Sequence, residues 1–190
     1  MHLVVGLGNP GEEYSLTRHN VGFMVAERFR RAHGLVRLRR RYGGKYGEGR
    51  AGSRPVAVLL PLTFMNSSGD AVAAAAAAKH IPLEDITVIH DDIDFPLGVV
   101  RLRQGGGSGG HKGLESIAAR LGSAGFNRVR VGIGRPVDPD ADVSEFVLSP
   151  FDPDETGLEV MLDAAVECVE AVIRDGIEAA INRCNRRQPG

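Results

Sequence analysis

The chain has 190 residues and a formal net charge of −1, with 43% hydrophobic and 25% charged residues. That composition supports a packed globular core and excludes general disorder. Two cysteines exclude a disulfide scaffold and a four-cysteine zinc site, so Cys168 and Cys184 are expected as two reduced, packed thiols.

Residues 1–6 carry no basic or long apolar region of a secretory signal. The longest weakly polar run, residues 71–78, is too short to span a bilayer. A soluble cytoplasmic protein is expected. Residues 2–7 read as a buried strand. Thr17 or Asn20 is placed to cap a helix with the apolar face Val21, Met24, Val25, Phe29 and Ala32, stopped by Gly34. Residues 35–54 are basic and dotted with glycine, which predicts a loop or an exposed hairpin. Residues 56–60 read as a second strand, and the alanine-rich residues 67–79 as a helix capped by Ser67 or Ser68. A third strand, 86–89, runs into His90-Asp91-Asp92. Residues 99–102 and 129–133 are further strands with a helix, 111–121, between them. A C-terminal helix carries the stripe Leu158, Met161, Leu162, Ala165, Cys168, Val169 and Val172, breaks near Gly176, and is followed by a shorter helix over 177–185. Strands thus alternate with helices without a linker or repeat. The pattern predicts a single α/β domain over residues 1–190, with a mixed, mostly parallel twisted sheet and helices on both faces.

Charge is segregated. Residues 28–54 hold ten Lys/Arg and one acid, Glu48, whereas residues 138–175 hold twelve acids and one base, Arg174. Such a dipolar surface attracts a polyanion on one side. Arg101, Arg103, Arg128 and Arg130 flank a glycine run, which makes nucleic acid a plausible partner. The arginine excess suits phosphate recognition, and genomic base composition accounts for it equally well.

Three motifs mislead when read alone. Residues 6–11 match G-x-G-x-x-G, but Pro10 removes a backbone donor from the supposed phosphate cradle, and an arginine block stands where an acid-terminated strand is needed. Residues 106–110 match G-x-S-x-G around Ser108, yet no histidine follows His111, so the serine lacks its usual partner order. The acids of His90-Asp91-Asp92-Ile93-Asp94 resemble a Mg²⁺ cluster, but in extended chain Asp92 and Asp94 point one way and Asp91 the other. That geometry favours one inward carboxylate over a metal cage.

The polar residues left at strand ends are Asn9, His19, Asn66, Asp91 and His111, close to where open α/β sheets place their ligand crevice. A histidine held by a carboxylate can deprotonate water directly, and the amides of Asn9 and Asn66 can bind a carbonyl or its oxyanion.

The run from Val5 to Gly22, with Gly6-Leu7-Gly8-Asn9-Pro10-Gly11, Tyr14 and Thr17-Arg18-His19-Asn20, closely resembles the N-terminal signature of bacterial-type peptidyl-tRNA hydrolases. Pro61-x-Thr63-Phe64-Met65-Asn66, the His90–Gly98 segment, the glycine run through His111-x-Gly113-Leu114, and Arg128-x-Arg130-x-Gly132-Ile133-Gly134 resemble that family in the same order. The resemblance implies hydrolysis of the ester joining a peptide to the 3′-terminal ribose of tRNA, which recycles tRNA. It implies that His19 is the general base, that Asp91 orients it, and that Asn9 distinguishes blocked from free α-amino groups. It further implies that Asn66 holds the peptide carbonyl with Tyr14 and Phe64 beside the substrate, and that Arg103 and Arg130 face acceptor-stem phosphates. No metal or organic cofactor and a monomeric state are implied. Lys112 stands where the family usually has asparagine, so an acceptor is replaced by a group that only donates. A catalytically silent RNA-binding module of the same fold is the alternative.

Overall fold

The structure is a computed structural model that describes residues 1–153 and 155–186. Strands β1 (His2–Gly6), β2 (Arg39–Arg41), β3 (Gly44–Ala51), β4 (Arg54–Pro61), β5 (Ile86–Asp92), β6 (Val100–Gln104) and β7 (Asn127–Gly132) form one sheet in the order β2-β3-β4-β1-β5-β7-β6. The four central strands are parallel through β4–β1, β1–β5 and β5–β7, and the β2–β3, β3–β4 and β6–β7 pairings are antiparallel. The sheet is therefore mixed, with its parallel part at the centre, where crossover helices cover both faces.

The helices are α1 (Val21–Ala32), α2 (Ser68–Lys79), α3 (Lys112–Leu121), α4 (Val143–Val147), α5 (Leu158–Asp175) and α6 (Ile177–Cys184). Strand side chains alternate between two cores. Val4, Val58 and Ile89 pack with Phe29 of α1, Val169 of α5 and Ala180 of α6. Val5, Leu59 and Val88 pack with Val72 of α2 and Ile117 of α3 on the other face. Full burial of a side chain such as Phe29 contributes on the order of 1.5–3 kcal/mol.

Two glycines bring α1 unusually close to the sheet. A Cβ on Gly6 would strike the Gly22 carbonyl oxygen, and one on Gly22 would strike the Ile89 carbonyl oxygen. This approach sets the start of α1, and the turn before it, directly over the ends of β1 and β5.

Some local expectations change. Asn20 occupies the cap position of α1 but makes no side-chain cap bond. Its amide instead grips the backbone of Asn9, accepting from Asn9 N–H at 2.9 Å and donating to Asn9 O at 3.0 Å. Ser67 likewise makes no cap bond, and the Ser68 hydroxyl donates to Met65 O at 2.8 Å. Residues 35–54 do form a hairpin, but β3 ties it along the full length of β4, and Tyr46 is buried. Helix α4 has only five residues, too few to show a periodic pattern; Asp142 caps it through the Ser144 N–H at 2.8 Å.

The segment carrying α4 is fastened beside His19. Arg18 N–H donates to Ser149 O at 3.0 Å and Phe151 N–H to Leu16 O at 3.2 Å. The buried Arg18 guanidinium pairs with Glu155 at 2.9 Å and lies 4.9 Å over the Phe146 ring.

Candidate active site

A cavity of about 600 Å³ opens at the carboxyl ends of the central strands. Asn9 enters its wall from the loop after β1, His19 from the turn before α1, and Asp91 from β5. His111, Lys112 and the arginines Arg103, Arg128 and Arg130 add to the polar part beside Asp92 and Asp94, and Val143, Val147 and Leu148 form an apolar side.

Asp91 is buried and accepts at both oxygens. His19 Nδ1 lies 2.8 Å from Oδ2, and His111 Nε2 lies 2.8 Å from Oδ1. The proton positions follow from the neighbouring bonds. His111 caps α3 by accepting Gly113 N–H at 3.1 Å and Leu114 N–H at 3.4 Å with Nδ1. Its single proton is therefore on Nε2, donated to Asp91. His19 donates from Nδ1 to the other carboxylate oxygen, which leaves its Nε2 lone pair unengaged among the described residues. Burial opposes ionisation of Asp91, but the two imidazoles against its oxygens outweigh that and hold the carboxyl well below the usual carboxylate range. The trio brings ligating atoms within 4.8 Å of one another. The same bonds commit one nitrogen of each ring to the carboxylate.

Asn9 is oriented with equal definition. Its Oδ1 accepts from Met65 N–H at 3.0 Å, which leaves the Nδ2 amide as a donor at the cavity wall. Asn20, expected only as a helix cap, holds the Asn9 backbone through both its amide atoms. Nothing in residue spacing marks that contact, because its partner lies eleven positions upstream across a folded turn.

The remaining expected residues divide. Arg103 lines the cavity with no carboxylate partner among the described residues. Arg130 pairs with Asp92 at 2.8 Å and stacks 4.6 Å from the Phe95 ring, so much of its charge is already engaged. Lys112 is exposed and lies 3.2 Å from Glu115. Tyr14, Phe64 and Asn66 are not part of the cavity wall. Phe64 and Asn66 are exposed beside Met65, and Asn66 Oδ1 lies 3.5 Å from Ser67 Oγ. Arg128, counted in the sequence among arginines facing a polyanion, instead buries its guanidinium and holds the glycine loop through the carbonyls of Gly107 at 2.6 Å and Gly106 at 2.5 Å. That loop needs glycine at Gly109 (φ 60°) and Gly110 (φ 84°), both in the left-handed region.

The misleading motifs resolve. Ser108 Oγ accepts from Gly110 N–H at 3.1 Å and donates to Glu115 at 3.3 Å, with no histidine as base. Asp92 and Asp94 also line the cavity but pair with Arg130 and Arg135, whereas Asp91 is the carboxylate held between the two histidines.

Two buried histidines make stability pH-dependent. His90 donates from Nδ1 to the Asp91 carbonyl at 2.8 Å, and its Nε2 is buried without a partner. Burial, with His111 nearby, holds its pKa down to about 3, and burial beside the terminal ammonium holds His2 at about 4. Both titrate near ~6.5 when unfolded. Below that value the unfolded chain binds protons that the folded chain refuses. Stability is expected to fall as pH drops from about 6.5 toward 4, with a slope approaching about 1.4 kcal/mol per pH unit for each group. Asp91 adds to the loss at lower pH, since its depressed pKa gives stability that is full above about 3.9 and disappears as pH falls through the folded value. Denaturant midpoints between about pH 7.5 and 4.5 check this; a flat profile would mean that both imidazoles protonate in the folded protein.

Comparison with known proteins gives consistent results. The family model described as peptidyl-tRNA hydrolase matches residues 3–190. A peptidyl-tRNA hydrolase of Syntrophotalea carbinolica is 47% identical over 188 residues, covering 98% of this chain and 98% of the relative. One of Symbiobacterium thermophilum is 48% identical over 186 residues, covering 96% and 98%. The crystal structure of peptidyl-tRNA hydrolase from Acinetobacter baumannii superimposes with a TM-score of 0.91 at 36% identity, covering 100% of this chain and 97% of that one.

Proposed function

This chain belongs to the peptidyl-tRNA hydrolase family and hydrolyses peptidyl-tRNA, and from that premise we propose that a water activated directly by His19 cleaves the ester. The observation that carries the mechanism is the fixed proton order of the trio. Asp91 takes both ring N–H groups, so the free lone pair of His19 is on Nε2, at the cavity. Nε2 accepts a proton from water while the oxygen adds to the ester carbonyl carbon. The tetrahedral intermediate then expels the 3′-ribose oxygen, which takes the proton back from the imidazolium. No bond between protein and peptide forms in this sequence. Asp91 stabilises the transient positive ring.

Asn9 presents its Nδ2 donor to the cavity, because its oxygen is turned toward Met65 N–H. A donor there accepts the amide carbonyl of an N-blocked substrate as a partner and opposes a free ammonium, which is itself a donor. The Asn9 amide is thereby suited to separating peptidyl-tRNA from aminoacyl-tRNA. Arg103 supplies positive charge for the phosphates of the acceptor end, with Arg130 and Lys112 beside it sharing theirs with Asp92 and Glu115. Tyr14, Phe64 and Asn66 serve the peptide side from outside the cavity wall. All the groups invoked come from one chain, which supports a monomer, and a substrate made by translation supports a cytoplasmic site. Among the described residues no helix is long and apolar enough to cross a membrane.

The test compares N-acetylated with free aminoacyl-tRNA and weighs the protein by mass spectrometry after acid quench during turnover. The expected result is cleavage of the acetylated substrate at least about 10²-fold faster, without an acyl adduct. Equal rates would remove the role of Asn9, and an adduct would replace the direct-water mechanism with a covalent one.

A further inference from the structure

The basic block of residues 28–54 separates into two parts once folded. Its helical part is engaged within the protein: Arg28 pairs with Glu159 and Asp163, and Arg30 and Arg31 share Glu27. The part on the sheet edge is not. Arg37, Arg39 and Arg40 are exposed and have no carboxylate partner among the described residues, and neither has Lys45. Arg40 stands directly across from Lys45 in the β2–β3 ladder. Like charges in that position oppose pairing, so the strand keeps an arrangement that costs stability unless an anion joins it. The one acid of the groove beside them, Glu48, is taken by Lys79 at 2.6 Å and the Tyr46 hydroxyl at 2.7 Å.

The edge is also built to stay in place. Leu38 and Leu35 lie against Gly47 and Gly49 of β3, where any Cβ would collide with them. These two contacts hold Leu35 and Leu38 against the sheet, while Arg37 and Arg39 stay exposed. At the other edge of the sheet, Asn185 covers β6 by bonding Leu102 N–H at 2.8 Å and Leu102 O at 3.0 Å, whereas β2 has no such cover among the described residues. Strand β2 runs parallel to β4 and β1, so it ends at the same end of the sheet as the catalytic cavity. The Gly43 carbonyl in the following turn accepts Leu62 N–H at 3.0 Å, four residues before Asn66.

We propose that Arg37, Arg39, Arg40 and Lys45 form a second phosphate-binding surface, which holds the sugar–phosphate backbone of the substrate tRNA at the edge opposite Arg103 and Arg130. Charge complementarity selects the partner. Arg39 and Arg40 are consecutive in β2 and project to opposite faces, with Arg40 beside Lys45, so unpaired positive charge surrounds this edge and suits a phosphate backbone, whereas the acidic residues of α5 and its approach repel RNA from that face. The sheet order puts β2 and β6 six strand spacings apart, about 29 Å, so the two basic surfaces touch different parts of the RNA. This rests on peptidyl-tRNA being the substrate.

The test uses the triple variant Arg37→Gln, Arg39→Gln, Arg40→Gln in the full chain. Binding of deacylated tRNA is measured over a range of salt, and turnover is measured on N-acetyl-aminoacyl-tRNA and on the same aminoacyl ester of a CCA trinucleotide. The expected result is about tenfold weaker tRNA binding with a salt slope lower by about 2 to 3, a matching rise in KM and an unchanged kcat. Turnover of the trinucleotide ester should not change. Unchanged tRNA affinity and KM would overturn the proposal. So would self-association of the variant without loss of tRNA binding, which would show that the arginines only block edge-to-edge pairing. Loss of affinity for other duplex RNA, with KM for tRNA intact, would assign the surface to a different RNA and overturn it also. Wild-type turnover is read separately, so failure of the hydrolytic reading and failure of this surface are distinguishable.

Discussion

Replacing His19 with alanine is expected to lower kcat on N-acetyl-aminoacyl-tRNA by about 10²–10⁴, the range a positioned general base supplies. tRNA affinity should hold, because the ring is partly buried against Asp91 and the basic groups lie elsewhere on the cavity wall. The substitution leaves Asp91 with His111 still bonded at 2.8 Å, so the buried charge keeps one partner and the fold persists. Single-turnover kinetics with saturating enzyme, together with a filter-binding isotherm, separate the two quantities. Near-normal kcat would move the base to another group.

Asp91→Asn carries the second large effect, and the tertiary hydrogen bonds state its cause. Two ring N–H groups point at two carboxylate oxygens. Asparagine offers one oxygen and one NH₂, so one imidazole must turn acceptor. His111 cannot, because its Nδ1 already accepts from Gly113 and Leu114 at the start of α3. His19 therefore shifts its proton to Nε2, and the atom that activates water loses its lone pair. We expect kcat to fall by about 10²–10⁴, with KM nearly unchanged and no recovery as pH is raised. Recovery at high pH would show that Asp91 acts only by lowering or raising basicity, and a rise in KM alone would make it a binding residue.

Strands β1, β4 and β5 were legible because their apolar runs are bounded by glycine or polar residues, and α1 and α5 because their stripes keep the helical period. Helix α4 escaped because five residues carry no period. At the caps the position is legible and the bond is not: Asn20 and Ser67 stand at the caps of α1 and α2, but the Asn20 amide bonds Asn9 instead and Ser67 makes no cap bond. Arg128 escaped because an arginine beside a glycine loop reads the same whether it faces phosphate or holds carbonyls.

By itself, then, the sequence determined the alternating α/β architecture, the segregation of charge, and the supply of His19, Asp91 and Asn9 at strand ends, since these depend on local periodicity and residue type. Only the tertiary structure decided which nitrogen of each histidine carries a proton, which face of Asn9 is free, and which arginines remain unneutralised. Those properties are set by partners from distant segments, such as the two histidines on Asp91 and the acids of α5 on Arg28. A hydrogen bond or ion pair across such separations depends on distances of a few tenths of an ångström, and residue order along the chain does not encode them.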